Sequence, residues 1–264
     1  MEGMRRIALE SEKRSTRINI VKESVRRDAF LPSWKAALYH SAYLSRSALF
    51  KAIREEAPTF TGYLLDFGCG SKPYRKLFTD VSGYVGVDIE QSGHDHLNSD
   101  IDVFYDGNHL PFEDGKFDGV VSFEVFEHVF NLQDVLTEIR RVMVPGGRLM
   151  FTIPFGWGEH EQPYDFARYT SFGITHLLQA SGYDDVKITK TNNSVRAFAQ
   201  LWLAYLNGHV IPKFGFLARP INLATVATTN LLAILLSEIL PKNDDFFSNL
   251  VVQATKPVLG AGPH

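Results

Sequence analysis

The chain has 264 residues, with 27 Lys plus Arg against 30 Asp plus Glu and a formal net charge of −3. That length suits one α/β domain with additions and a large buried core, and the near-balanced charge, with a pI of about 6.3, offers no basic field for a nucleic acid. The single cysteine, Cys69, excludes a disulfide within the chain and points to a reducing compartment.

From Met1 to Asp28 the basic residues Arg5, Arg6, Lys13, Arg14, Arg17, Lys22, Arg26 and Arg27 outnumber the acids. The apolar centre of a secretory signal is missing, so a solvated basic leader is expected. Ser33 stands where it could cap a helix from Trp34 to about Glu56. Trp34, Leu38, Ala42, Leu49 and Ile53 would share one face, with Tyr39, Tyr43 and Phe50 as a second stripe.

Tyr63-Leu64-Leu65-Asp66-Phe67-Gly68-Cys69-Gly70-Ser71 follows. An apolar run meeting an acid and Gly-x-Gly predicts a strand, a tight turn and a helix start at Ser71, with Pro73 tolerable in the first turn. Pro73 stands where the dinucleotide fingerprint has its third glycine, and Asp66 would crowd a pyrophosphate. A ligand carrying an ammonium and no phosphate, such as S-adenosylmethionine (SAM), suits this corner better. About 20 residues on, Gly86-Val87-Asp88-Ile89 is an apolar strand ending in an acid, the usual distance for a carboxylate on ribose hydroxyls. Cys69, with no base beside it in sequence, reads as a small residue filling a crowded turn.

Together with Leu110-Pro111-Phe112, Phe117-Asp118, Glu127-His128-Val129 and Pro145-Gly146-Gly147, these motifs resemble the class I SAM-dependent methyltransferases, closest to their type 11 group. The resemblance runs from Tyr63 to Tyr183. It implies a seven-stranded, mostly parallel, doubly wound Rossmann-like α/β sheet and a cofactor site of Asp66, Gly68, Cys69, Gly70, Asp88, Ile89, Asp106, Gly107 and Glu124. Asp106 would accept from the adenine amino group, beside Leu110-Pro111-Phe112. The helix after Ser33 would lie over the cofactor or pack on the sheet edge.

The chain then reads as a helix over Tyr74–Phe78, strands over Gly83–Ile89, Val103–Asp106 and Asp118–Phe123, and a helix capped by Asn131 and ended by Pro145-Gly146-Gly147. Next come a strand over Arg148–Pro154, a helix capped by Thr170 or Ser171 and closed by Gly182, and strands over Val186–Thr189 and Leu250–Ala254. About sixty residues separate the last two strands, too long for an ordinary connection. This insertion carries Phe198, Leu201, Trp202, Leu203, Tyr205 and Leu206, then Ile221–Leu240. Asn222, Thr225, Thr228, Thr229 and Asn230 argue against a membrane span. A substrate lid, a dimer face or a membrane-surface patch remain. The organisation is a leader and helix (1–57), a SAM-binding core (58–194), an apolar helical insertion (195–245), a last core strand (246–257) and a tail (258–264).

The loop from Phe155 to Thr170 leaves the fifth strand where the transferred methyl should point, and it gathers Trp157, His160, Tyr164, Asp165, Arg168 and Tyr169. It resembles a subgroup of bacterial methyltransferases of surface glycans and small molecules. If the acceptor is an alcohol, a histidine can take its proton, at about 10²–10⁴-fold in rate. His160 is the expected base and His128 the alternative, while Asp165 and Arg168, three apart, could simply pair. No metal is expected, since His160 and the nearby acids show no recognisable ligand spacing. The expected function is SAM-dependent methyl transfer to a small molecule or glycan, at oxygen, without nucleic acid. The protein would be cytoplasmic, with contact at the inner face of the membrane through 195–240, or a homodimer, as alternatives. The competing readings are a nicotinamide-dependent oxidoreductase and a non-catalytic SAM-binding or membrane-associated scaffold.

Overall fold

The computed structural model describes residues 29–90 and 99–258; the basic leader read over Met1–Asp28 lies outside the described residues. Seven strands form one sheet: β1 (Gly62–Phe67), β2 (Val81–Ile89), β3 (Val103–Tyr105), β4 (Phe117–Phe123), β5 (Met143–Pro154), β6 (Asp184–Thr191) and β7 (Asn249–Thr255). Their spatial order is β3-β2-β1-β4-β5-β7-β6. Neighbours from β3 to β5 are parallel, and β7 runs antiparallel to both β5 and β6. The strand order reverses between β1 and β4, so the carboxyl ends of six strands, all but β7, lie at one edge with a crevice at the switch point. The expected doubly wound sheet is the one observed.

Alternation along the strands puts a core on each face. Leu65, Val120, Leu149 and Phe151 join Leu136 and Ile139 on one side, while Leu64, Val121 and Met150 join Leu49 and Ile53 on the other. Two covered faces explain why the central strands are apolar almost throughout. The helices are α1 (Tyr43–Glu56), α2 (Leu132–Val142), α3 (Ser171–Ala180), α4 (Ser194–Tyr205) and α5 (Ala218–Ile239). Thr170 caps α3, its Oγ1 accepting from Gly173 N at 3.1 Å. Asn131 precedes α2 without a capping bond from its side chain.

Three local expectations are corrected. The helix read from Trp34 to Glu56 is two pieces, a 3₁₀ segment over Trp34–Leu38 and then α1, with no cap from Ser33 and with Trp34 exposed. Asn230 of α5 donates to Ala37 O at 2.9 Å and to His40 O at 3.3 Å, so distant carboxamide hydrogens satisfy the carbonyls that a continuous helix would have used. No α-helix starts at Ser71: Arg75–Leu77 forms a single 3₁₀ turn. The helix read up to Pro145-Gly146-Gly147 ends at Val142, and the Pro-Gly-Gly stretch lies inside the start of β5, where Gly146 N donates to Lys256 O at 2.7 Å.

Between β6 and β7 the chain leaves the sheet as a hairpin, α4 returning as α5 through a π turn over Leu206–Val210 and a 3₁₀ segment over Ile211–Leu217. Its base is closed by Ser194 N donating to Asn243 O at 2.9 Å. Arg196 adds Nε to Ser237 Oγ at 2.7 Å and Nη2 to Glu238 Oε1 at 2.9 Å.

Candidate active site

At the end of β1 the chain turns through two glycines that serve different ends. Gly68 has φ +69°, and a Cβ there would stand 2.5 Å from Val125 Cγ2, so this glycine admits the loop after β4 rather than a ligand. Gly70 has φ +46° and open space where its Cβ would be, which is the close backbone approach expected of a ligand corner. The turn is bound to β2: Gly68 N donates to Val87 O at 2.8 Å and Gly70 N to Asp88 Oδ2 at 3.0 Å. Ile89 N donates to Asp88 Oδ1 at 2.9 Å, leaving each Asp88 oxygen a further lone pair.

Beneath the turn lies a charge cluster the sequence did not disclose. Asp66 is buried, and Tyr84 Oη donates to its Oδ2 at 2.6 Å. Burial pushes the Asp66 carboxyl up to about 7, against the opposing pull of Tyr84 and Lys72. Lys72 sits at φ 49° with its side chain buried and donates to Asp102 Oδ2 at 2.7 Å. Its Cε and the sulfur of Cys69 both crowd Gly86, where a Cβ would meet them at 2.3 and 2.5 Å. Burial, then the neighbouring Asp66, pushes the Cys69 thiol up, which leaves it protonated and inert.

The far strand ends differ in their engagement. Asp106 is exposed, and its Oδ1 accepts from Asn108 N at 2.9 Å and His109 N at 2.8 Å; these amides hold its carboxyl below the usual range. Gly107 follows with φ +84° and no atom near its missing Cβ. The Leu110–Phe112 segment is pinned from α2: Leu110 N donates to Glu138 Oε1 at 2.7 Å, and Arg141 donates to both Leu110 O and Phe112 O. Glu124, read as a cofactor residue, turns toward the opposite side of the crevice. Its backbone is left-handed at φ 57°, and its Oε2 accepts from Asn249 Nδ2 at 2.8 Å. Burial raises its pKa against the pull of Arg46 from α1, a residue the sequence pattern had assigned to no site.

The loop from Phe155 to Thr170 folds back onto the segment after β4. Phe166 N and Ala167 N donate to Glu127 O at 2.8 and 3.2 Å, and His128 Nδ1 meets Tyr164 O at 3.0 Å. Asp165 and Arg168 form a bidentate pair, with Arg168 Nη2 to Asp165 Oδ2 at 2.6 Å. Although burial works against it, that guanidinium and the His160 amide hold Asp165 down to about 2. The two residues therefore brace the loop, as their spacing allowed. Trp157 and Tyr169 are half-buried at its two ends, and Tyr164 is more exposed.

His160 Nδ1 faces Asp165 Oδ2 at 3.1 Å and Gly158 O at 3.3 Å. Arg168 Nη2 lies 3.4 Å from the same nitrogen; with the proton on Nδ1, toward the two oxygens, Nε2 keeps its lone pair. His128 is fixed the same way by Tyr164 O. Both free nitrogens point toward Glu127, whose Oε1 lies 3.6 Å from His128 Nε2 and 3.9 Å from His160 Nε2. Glu127 is wholly buried, and neither of its carboxylate oxygens has a hydrogen-bond partner; His128 Nε2 has none either. Burial, then the nearby Glu124, raises Glu127 well above an ordinary glutamate. Glu127, absent from the residues read as catalytic, is the centre of the cluster. One ligand atom from each of Glu127, His128 and His160 lies within 4.8 Å of the others, a set that could hold a cation. The expectation of no metal rested on sequence spacing, and the fold brings together groups that spacing keeps apart.

A mostly parallel seven-stranded sheet with acids at successive strand ends and open space over Gly70 defines a Rossmann-like, SAM-type site. Residues 65–151 match the family model described as "Methyltransferase domain". A Mycolicibacterium smegmatis protein named "Probable S-adenosylmethionine-dependent methyltransferase" is 29% identical over 133 residues, 46% of this chain and 51% of that protein. The 24-methylenesterol C-methyltransferase 2 of Oryza sativa subsp. japonica is 39% identical over 97 residues, 32% of this chain and 26% of its own length. The chain thus spans about half the length of the first of these relatives and a quarter of the second. Among solved structures, the [4+2]-cyclase SpnF aligns at a TM-score of 0.51 and 19% identity, covering 83% of this chain and 85% of that one. A SAM-dependent methyltransferase from Archaeoglobus fulgidus aligns at 0.50 and 17%, covering 80% and 94%. These structures share the fold. Residues 65–151 of this chain are thus similar to methyltransferase domains, on a fold that these solved structures share.

Proposed function

We propose that this protein transfers the methyl group of SAM to an oxygen of a small-molecule or glycan acceptor. A cyclase shares the fold, so fold alone does not decide the reaction. The observation that carries the reading is the convergence of Glu127, His128 and His160 on one point beside the crevice. An acceptor hydroxyl placed there meets His160 Nε2, whose lone pair takes its proton. The acceptor oxygen forms the new bond to the methyl carbon as the carbon–sulfur bond breaks, and the electron pair returns to sulfur. Asp165 holds the imidazole in the required tautomer and stabilises the imidazolium that results. On the cofactor side, Asp88 binds the ribose hydroxyls, Asp106 the adenine amino group, and Gly70 with Asp66 the amino-acid end.

Calorimetry with SAM and with NAD separates this reading from an oxidoreductase, which would bind the dinucleotide instead. Methyl-labelled SAM then tests the acceptor: label should enter an alkali-stable ether, and label found only on nitrogen or carbon would overturn transfer to oxygen. Turnover that survives chelation keeps the proton transfer on His160. Loss on chelation with recovery on adding a divalent metal would assign the cluster to a cation. Of the roles open to residues 195–240, contact with a membrane surface is the one the exposed side chains favour.

A further inference from the structure

More than half of the large hydrophobic side chains exposed among the described residues lie between Phe198 and Leu240. The α4–α5 hairpin is two-faced. Val226, Asn230, Ala233 and Ser237, at helical spacing, are buried against α4 and the 34–38 segment, where Asn230 makes its carbonyl contacts. The other side of α5 presents Leu231, Leu235 and Ile239 to solvent. At the end remote from the sheet, Gly215 breaks the helical path at φ 56°, ψ −121°. Phe214, Phe216 and Leu217 project there, Phe216 being 90% exposed. Lys213 and Arg219, both exposed, flank them, and no Asp or Glu occurs from Phe198 to Ser237.

We propose that this hairpin docks the protein on an anionic lipid bilayer, with Phe214, Phe216 and Leu217 entering the acyl boundary and Lys213 and Arg219 on the headgroups. The charge decides the occupant. The tip, with cations and no acids from Phe198 to Ser237, is complementary to an anionic leaflet, and Glu238 at the base is paired with Arg196. Trp202 and Tyr205, half-exposed and stacked at 5.7 Å, are the aromatic types that settle at the headgroup level. Spanning is a poorer fit. The stretch Ser194–Ile239 is long and apolar enough for it, with mean hydropathy 1.4 in its best window, but it is folded into a hairpin. Drawing α5 into hydrocarbon would strip Asn230 from its carbonyls and Arg196 from Glu238. The docked face is also continuous with the site: Phe198 stacks on Phe246 at 5.0 Å, and Phe246 lies 5.7 Å from Phe155, where the loop of His160 begins.

The test is co-sedimentation of the full chain, without detergent, with vesicles of phosphatidylcholine alone and with vesicles of phosphatidylcholine mixed with anionic phosphatidylglycerol. The chain should stay in the supernatant after ultracentrifugation alone, pellet with the anionic vesicles, and be released in part by high salt. Phe214→Ser with Phe216→Ser should weaken binding about 10-fold or more, and Lys213→Glu with Arg219→Glu should abolish the preference for anionic lipid. Both variants should keep the wild-type melting temperature, since these side chains touch solvent. Absence of vesicle binding, binding unchanged in both variants, or a dimer that the Phe variants convert to monomer would overturn the proposal. So would a pellet that resists carbonate, which would make the hairpin a span.

Discussion

The rings of His128 and His160, 32 positions apart in sequence, meet edge to face with centroids 5.0 Å apart. Each is held at its Nδ1 by a backbone carbonyl, Tyr164 O for His128 and Gly158 O for His160, with the Asp165 carboxylate 3.1 Å from the latter, and both turn Nε2 toward the same buried glutamate. A carboxylate beside Nδ1 orients a base and supports the charge it gains; His160 has one there in Asp165 at 3.1 Å, whereas the loop's Glu161 faces His128 at Nε2, 3.5 Å away. His160→Ala should lower kcat about 10²-fold or more while SAM affinity stays unchanged. Asp165→Asn should fall in the same direction, and His128→Ala should cost less than either. Near-normal turnover of His160→Ala would reduce this histidine to a pin for the loop.

Asp88 ties the glycine turn to β2 and has lone pairs to spare for a ribose. Asp88→Ala should weaken SAM binding by about 1.5–3 kcal/mol, the range for hydrogen bonds to a charged group. Because the carboxylate also receives Gly70 N, Asp88→Asn is the companion variant: it keeps an acceptor for that amide while losing the charge. Calorimetric affinity unchanged in a folded Asp88→Ala protein would remove this strand end from the cofactor site.

The two turn glycines should fail differently. Both adopt left-handed backbone, which costs an alanine about 1–2 kcal/mol. Gly70→Ala should show that loss in a denaturant titration together with weakened SAM binding, since its Cβ enters open space a ligand would fill. Gly68→Ala should lose about 1–3 kcal/mol more, from overpacking against Val125. Equal losses, with SAM affinity intact in Gly70→Ala, would show that nothing binds over the turn.

Asp66 gives a pH signature. Its folded pKa is raised from 3.8 to about 7, so the folded protein binds its proton more tightly than the unfolded chain. The corresponding stability is present below pH 4 and is lost as pH rises through about 7, with a slope of at most about 1.4 kcal/mol per pH unit. Urea midpoints from pH 4 to 8 should fall with rising pH in wild type relative to Asp66→Asn, and the difference should level off above pH 7. Parallel curves would show that the carboxyl ionises normally.

What the sequence disclosed follows the range of the interactions involved. Strands buried on both faces write themselves as apolar runs, so β1, β2 and β4 and the acids that end them could be read from neighbouring residues. The brace between Asp165 and Arg168 was legible for the same reason. The break before Tyr43 was not, because it depends on Asn230, nearly 200 positions away. Glu127 was passed over since its value lies in what surrounds it: two imidazoles, one of them from another segment, and no solvent. Lys72 follows the expected helix start at Ser71 and had no legible role in the sequence; only the absence of that helix lets its side chain turn back under Gly86.

The position of β7 has a consequence for how the molecule is made. This strand, the last among the described residues, lies between β5 and β6 and is hydrogen-bonded to both. Until residues 249–255 are in place, β6 has no neighbour and β5 keeps an open edge. A nascent or unfolding chain therefore exposes unpaired strand edges on β5 and β6, which invite aggregation. Production yield should then depend less on the stability of the finished sheet than on how quickly its final strand arrives.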